Sequence, residues 1–138
     1  MTDVEHAAAI AVVGQDATDT GRAALVLACS EAERRPVTVI DLIGDAPPLR
    51  RIAATQDSHG VADCFAYGVS FAAVSRPTTA GPRVSIIPSG TEPLTDATIL
   101  RSHRWNRLVE QTRDRGALIV FAALSGTPGL EALTARVD

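Results

Sequence analysis

The chain contains 138 residues, of which 46% are hydrophobic and 21% are charged, so its composition fits one globular domain and excludes an intrinsically disordered protein. A net charge of −3 provides no broad basic surface for nucleic acid, and no apolar run approaches the roughly 18 residues that a membrane-spanning helix needs. The acidic start of the chain lacks the positive charge of a signal peptide. We therefore expect a cytoplasmic protein without a nucleic-acid partner.

The first third of the chain has the pattern of a strand, a loop, a helix and a second strand. Residues 7–13 form a continuous apolar run, typical of a strand buried on both faces. After a polar loop, Asp19 or Thr20 is predicted to cap a helix over residues 22–35, which ends before a proline. The β-branched residues 37–42 then predict the second strand.

Shorter elements are predicted along the rest of the chain. Helices are predicted over residues 49–54, 60–67, 70–74 and 130–135. Strands are predicted over residues 84–87 and 117–124. The two prolines and the glycine within residues 76–82 predict a loop. Thr95 or Asp96 is predicted to cap one long helix that continues to about residue 115.

Strands that alternate with helices indicate an α/β fold. We expect a three-layer sandwich with a mainly parallel sheet of four strands, in a single domain over residues 1–138. Cys29 and Cys64 fall in apolar helical patterns, which predicts small buried side chains and no disulfide. The three histidines lie far apart and lack ligand spacing, so no metal site is predicted.

The segment from Gly14 to Ala23 has the outline of a phosphate-binding loop. Such a loop surrounds phosphates with backbone N–H groups, reaches the terminal ones with a lysine, and holds Mg²⁺ with the next Ser or Thr hydroxyl. This chain has no lysine, so Arg22 stands in the lysine position and Ala23 in the hydroxyl position. Arg22 can still pair with a phosphate, although Asp16 and Asp19 oppose an anion. Alternatively, the loop only caps the helix and Arg22 is a solvated surface charge.

The order of these pieces resembles the ATPase domain of the bacterial tyrosine kinases that regulate capsule and exopolysaccharide chain length. These kinases belong to the deviant-Walker group that includes the MinD and ParA types. The resemblance begins with the loop and helix after the first strand and with a second strand that ends in Asp41. Three later segments extend it: the helix motif Gly60-Val61-Ala62-Asp63-Cys64-Phe65, the strand end Pro88-Ser89-Gly90, and residues 117–122 in the Walker B position.

The resemblance implies a P-loop type fold with a site for ATP and Mg²⁺. The nucleotide-binding residues that it implies are Gly14, Thr20, Gly21, Arg22 and Asp41. The chain departs from the family pattern at the three positions that hold Mg²⁺, which are Ala23, Ile43 and Ala122 here. It also lacks the family's tyrosine-rich tail and upstream oligomerisation helix, so we expect a truncated or reduced member.

Two functions follow from this comparison of motifs. The first is a catalytically inactive homologue that acts as a regulatory or partner-binding domain in exopolysaccharide synthesis and export. The alternative is a residual ATP-binding protein or tyrosine kinase domain with a non-standard phosphate loop. The implied partner is a polysaccharide co-polymerase or a kinase subunit, which would hold the chain peripherally at the inner membrane, or a second copy of the chain. A basic patch of Arg101, His103, Arg104 and Arg107 surrounds Trp105 and is either a docking surface, with Arg101, Arg104 and Trp105 as its contact residues, or a solvated helix face.

Overall fold

Twelve elements make up the part of the chain that is described in our computed structural model, which comprises residues 7–44, 46–52, 59–90 and 97–137. The strands are β1 (Ala9–Gly14), β2 (Val37–Asp41), β3 (Arg76–Thr78), β4 (Gly81–Ile87) and β5 (Leu118–Leu124). The helices are α1 (Ala17–Glu31), α2 (Pro47–Ile52), α3 (Val61–Tyr67), α4 (Phe71–Val74), α5 (Ala97–Arg101), α6 (Arg104–Asp114) and α7 (Leu130–Thr134). None of the described helices is long and apolar enough to cross a membrane.

The five strands form one sheet in the order β1-β5-β2-β4-β3. All neighbouring strands are parallel except β3, which runs antiparallel to β4. In the centre of the sheet, Val37 of β2 is in register with Leu118 of β5 on one side and with Val84 of β4 on the other. These are the apolar, β-branched runs expected of strands covered on both faces. The predicted mainly parallel α/β fold is therefore confirmed.

Two layers of helices cover the two faces of the sheet, and alternate strand residues divide the core between them. Val37 and Val39 lie in the cluster beneath α1 and α2, together with Ala24 and Ala28 of α1. Ile40 lies in the opposite cluster, which includes residues of α3, α5, α6 and α7. Because side chains alternate between faces along a strand, each of the four parallel strands contributes to both clusters.

The segment over residues 76–82 is not a loop, so that prediction is wrong. Its first half is β3 and its last two residues begin β4, which gives a sheet of five strands instead of the four expected. Arg76 is in register with Ile86, and the Thr78 hydroxyl donates a hydrogen bond to the Val84 carbonyl at 2.7 Å. Proline is tolerated here because β3 is an edge strand, where a missing N–H costs no central pairing.

The predicted long helix is also wrong, since it is divided into α5 and α6 at Ser102 and His103. The guanidinium of Arg136 stabilises this break. It donates to the carbonyls of Leu100, Arg101 and Ser102 at 3.1, 2.9 and 2.8 Å, and so satisfies acceptors at the end of α5. The predicted caps Thr95 and Asp96 lie outside the described residues.

Candidate nucleotide site at the carboxyl edge of the sheet

The carboxyl ends of the four parallel strands meet at one edge of the sheet, where open α/β folds bind their ligands. Gly14 ends β1 in register with Leu124 of β5, and Asp41 ends β2 in register with Ala122 of the same strand. The fold therefore brings the two strand ends named by the resemblance to this edge, with β5 between them.

The connection from β1 to α1 is very short. The strand ends at Gly14 and the helix begins at Ala17, so only Gln15 and Asp16 lie between them. The predicted helix start at residue 22 is therefore wrong, and so is the predicted cap at Asp19 or Thr20. Most of the segment that resembles a phosphate loop is wound into the first two turns of the helix.

Asp16 is the residue that caps α1. It has the extended backbone of an N-cap, with φ −108° and ψ 129°, and its Oδ2 accepts a hydrogen bond from the Asp19 N–H at 2.7 Å. Its carbonyl accepts from the Thr20 N–H at 2.9 Å. Aspartate is among the best N-cap residues and alanine is the best helix former, so Asp16 followed by Ala17 competes well with the later polar residues.

Gly14, Thr20 and Gly21 pack inside the domain. Thr20 is only 4% exposed, and a Cβ placed on Gly14 would overlap its hydroxyl. A Cβ placed on Gly21 would lie 3.1 Å from the Cβ of Ala46 and 3.4 Å from Cγ of Leu49. Both glycines thus permit close contacts, one between β1 and α1 and the other between α1 and α2.

Arg22 lies on the outer side of α1. Its guanidinium is 3.5 Å from the Asp19 carboxylate, and both side chains are mostly exposed. Exposed pairs at this spacing contribute little to stability, so this position matches the interpretation of Arg22 as a solvated charge. Ala23 and Cys29 are also exposed, because α1 turns mainly Ala24 and Ala28 toward the sheet. The prediction that Cys29 is buried is therefore wrong.

Asp41 is buried and closes the turn after β2. Its Oδ1 accepts hydrogen bonds from the N–H groups of Ile43 and Gly44, at 2.8 and 3.0 Å. This is the Asx-type arrangement that aspartate makes with the backbone two and three residues ahead. Ile43, at the position of the family's second acid, packs against the core cluster beneath α1 and α2. Beside the turn, the Ala122 carbonyl accepts from the Leu42 N–H at 2.9 Å.

The helix motif that begins at Gly60 and the strand end Pro88-Ser89-Gly90 form one structural unit. The N–H groups of Val61 and Ala62, at the start of α3, donate to the carbonyls of Pro88 and Ser89, both at 2.8 Å. Asp63 is 3% exposed, and its Oδ2 accepts from the Gly60 N–H at 2.8 Å. The end of β4 thus satisfies donors at the start of α3, as a cap would. Both motifs are recognisable in the sequence, but no sequence pattern indicates that they touch.

Trp105 and Arg104 of the predicted basic patch are engaged inside this chain. Trp105 is fully buried, donates from Nε1 to the Ile99 carbonyl at 2.7 Å, and stacks on Phe71 with ring centroids 4.9 Å apart. Arg104 donates to the Cys64 and Val69 carbonyls at 2.7 and 3.1 Å. Its guanidinium also lies 4.8 Å from the ring centroids of Phe65 and Phe71, within cation–π range.

Arg101 is an exposed member of the patch, as are His103 and Arg107. Arg101 forms an ion pair with Glu131 at 2.8 Å, and this hydrogen bond holds the pKa of Glu131 below its ordinary value.

Cys64 is buried, as predicted. Burial raises the pKa of its thiol, and the nearby Arg104 charge offsets part of that rise. The aromatic cluster around Arg104 was missed from the sequence, although it gathers four of the five aromatic residues.

Within the described ranges, no three His, Cys, Asp or Glu side chains form a group that could hold a metal ion. Asp41 and Asp63 approach the same edge of the sheet, but each carboxylate binds backbone N–H groups of its own turn.

Several solved protein structures share this fold. No family model matches the chain, and no curated protein matches it in sequence. Among solved structures, the VpsO kinase domain superposes with a TM-score of 0.70 and 18% identity, covering 94% of this chain and 65% of that one. The kinase domain of the Escherichia coli tyrosine kinase ETK gives 0.70 and 18%, covering 98% and 54%. This chain has the fold of a bacterial tyrosine kinase domain.

The predicted resemblance is thereby confirmed at the level of the fold. The BceF tyrosine kinase domain also matches, with a TM-score of 0.61, 18% identity and coverage of 84% of this chain. The chain spans 65%, 54% and 46% of the length of the VpsO, ETK and BceF domains, respectively. Activity, substrates and partners of those longer proteins are therefore a separate question from the shared fold.

Proposed function

We propose that this domain is a catalytically inactive homologue of the polysaccharide-biosynthesis tyrosine kinases. It acts as a regulatory or partner-binding domain in exopolysaccharide synthesis and export. The observation that carries the proposal is the Asp16 carboxylate at the start of α1, bonded to the Asp19 N–H. A helix N-terminus attracts a phosphate through its N–H groups and dipole, and here a carboxylate of the chain itself takes that role.

The side chains near the expected metal position also support an inactive site. Mg²⁺ prefers oxygen ligands and takes carboxylates together with substrate phosphates. Ala23, Ile43 and Ala122 provide no side-chain oxygen, and Oδ1 of Asp41 already accepts two N–H bonds. These residues do not fit Mg²⁺-ATP. Loss of a single transition-state contact of this kind costs about 10²–10³ in rate.

The proposal is tested by thermal unfolding with and without ATP and Mg²⁺. We expect no rise in melting temperature, because a ligand stabilises a protein only when it binds the folded state. The alternative, a residual ATP-binding protein, requires a saturable rise with an apparent Kd below about 1 mM that Arg22→Ala abolishes. Such a rise would overturn the proposal. Arg51→Ala, on the exposed side of α2, is the matched control.

The partner is proposed to be a polysaccharide co-polymerase or an active kinase subunit. Exposed groups support contact with a protein: Arg101 is 58% exposed, Val26 on α1 is 64% exposed, and Val13 on the outermost strand β1 is 43% exposed. Arg101 and Val26 lie on opposite faces of the sheet, so they belong to two separate surfaces, of which the one at Arg101 is the proposed contact.

Gel filtration with the purified cytoplasmic segment of a co-polymerase from the same organism tests this second half. We expect co-elution that Arg101→Glu weakens, since a reversed charge at an interface opposes association. Arg51→Glu provides the same charge change elsewhere and is expected to have no effect. Absence of co-elution at about 100 μM of each protein, a concentration that reveals weak complexes, would contradict the partner role and leave the ATP result standing.

A further inference from the structure

A groove of about 660 Å³ lies between α4 and α6, over the face of the sheet opposite α1. Its volume is within the range of about 300–1,000 Å³ that is typical of small-molecule sites. The groove is separate from the candidate nucleotide site, because none of Gly14, Thr20, Gly21, Arg22 and Asp41 lines it.

The floor of the groove is unusual for a parallel sheet. Thr38 of β2 and Ser85 of β4 are in register, and Ile119 of β5 continues the same row. A sheet face covered by helices normally presents apolar side chains, as Ile40 and Ile87 do in the next row. Within the described parts of the chain, the hydroxyls of Thr38 and Ser85 form no hydrogen bond, and both residues are half-buried.

One wall of the groove is a basic stripe along α6. Arg107, Gln111 and the C-cap residue Arg115 follow one another at intervals of four residues, which places them along one face of α6 and its end. All three side chains are exposed and form no hydrogen bond or ion pair with any residue that the structure describes. Arg104 adds a third positive charge to this wall, although carbonyl groups hold its guanidinium in place.

The charged side chains among the described lining residues of the groove are all positive. The described lining residues include three arginines and no aspartate or glutamate. The opposite wall adds the hydroxyl-bearing residues Ser70 and Ser75. Guanidinium groups pair with phosphate or carboxylate through two parallel hydrogen bonds, whereas hydroxyls and amides match the hydroxyls of a sugar. The combination requires a ligand with both an anionic group and several hydroxyls.

We propose that this groove binds a small polyhydroxylated anion, a sugar that carries a phosphate or a carboxylate. The anionic group lies against Arg107 and Arg115, and the sugar ring lies over Thr38 and Ser85. Binding here does not depend on the phosphate-loop segment, so the proposal stands whether or not the chain binds ATP.

The chain contains its own reporter for this test. Trp105 is the single tryptophan, and its ring stacks on Phe71, which lines the groove. Tryptophan fluorescence is measured while the protein is titrated with glucose 1-phosphate, glucuronate, neutral glucose or inorganic phosphate. We expect saturable changes with the two anionic sugars, of which the tighter identifies the anionic group. Binding of glucose and of inorganic phosphate is expected to be at least about 10-fold weaker.

Matched variants locate the site. Arg107→Gln combined with Arg115→Gln is expected to weaken binding by about 10-fold or more, and added salt is expected to weaken it further. Thr38→Val, which keeps the shape and removes the hydroxyl, is expected to weaken sugar binding about 5-fold. Arg51→Gln removes a charge outside the groove and is expected to leave binding unchanged. Circular dichroism verifies that each variant is folded.

Three results would overturn the proposal. The first is the absence of saturation below about 10 mM of either anionic sugar, a concentration beyond ordinary specific binding. The second is full binding by the double arginine variant. The third is equal binding of inorganic phosphate and glucose 1-phosphate, which would show that the hydroxyl groups of the groove contribute nothing.

Discussion

The carboxylate of Asp16 accepts a hydrogen bond from the backbone N–H of Asp19 at 2.7 Å, and α1 begins between them at Ala17. In a phosphate-binding loop the same donors face an anionic ligand, and the helix begins later in the sequence. One local bond therefore accounts both for the early start of the helix and for the short connection after β1.

We expect Asp16→Ala to lower the free energy of unfolding by about 1 kcal/mol, the usual contribution of an N-cap side chain. Asp16→Asn keeps an oxygen that accepts the same bond and is expected to lose less. Urea denaturation followed by tryptophan fluorescence measures both. An unchanged urea midpoint in Asp16→Ala would mean that the cap does not hold the start of α1.

Restoring the family residues is not expected to restore nucleotide binding. In the double variant Arg22→Lys and Ala23→Thr, both new side chains project from the exposed side of α1, beyond its first turn. The helix would have to unwind from Ala17 before the lysine faced the strand ends. Calorimetric titration with Mg²⁺-ATP is expected to show no binding. Binding in this variant would indicate that α1 rearranges at low cost.

Gly60→Ala is expected to destabilise the domain by about 2 kcal/mol or more, because the new Cβ overlaps the Pro88 carbonyl and forces backbone to move. The contact joins α3 to the end of β4 through the bonds from Val61 and Ala62. Ala66→Gly, at an exposed position of α3, is the control and is expected to cost about 1 kcal/mol. Equal urea midpoints for the two variants would argue against a tight contact at Gly60.

Arg104→Lys is expected to lower the free energy of unfolding by about 1–3 kcal/mol, although it conserves the charge. The planar guanidinium bonds two carbonyls and lies over two phenylalanine rings, and a single ammonium group does not reproduce that geometry. Arg51→Lys is the matched control with no expected loss. The measurement is thermal unfolding, and equal melting temperatures for the two variants would contradict the assigned role.

The two cysteines are expected to react with a thiol reagent at very different rates. Cys29 is exposed, whereas Cys64 is fully buried and burial raises the pKa of its thiol, so little thiolate forms near pH 8. We expect one fast thiol per folded chain and a second only after urea is added. Cys29→Ser should remove the fast phase. A fast phase that persists in Cys29→Ser would show that α3 opens readily.

Sequence patterns located the four parallel strands well because their signal is local, whereas the short edge strand β3 was hidden by its proline. Residues 7–13 and 117–124 are continuous apolar runs, and both became strands of a sheet that is covered on both faces. The same logic placed Asp41 at a strand end. The start of α1 was misjudged because several polar residues compete as caps, and periodicity does not rank Asp16 above Asp19 or Thr20.

Two further errors come from contacts between distant parts of the chain. The break between α5 and α6 is stabilised by Arg136, which lies more than 30 residues further along the sequence. The burial of Trp105 depends on Phe71 and Phe121 arriving from two other elements. A basic stretch around a tryptophan is indistinguishable from a surface patch until those partners are known.

The order of the strands in the sheet has a consequence for folding during synthesis on the ribosome. Among the described strands β5 comes last in chain order, yet it lies between β1 and β2 and pairs with both. The first two strands therefore leave the exit tunnel before the strand that lies between them. At that stage α1 has only part of the sheet to pack against. Because long-range pairing slows folding and leaves strand edges exposed, the facing edges of β1 and β2 stay unpaired until β5 has emerged.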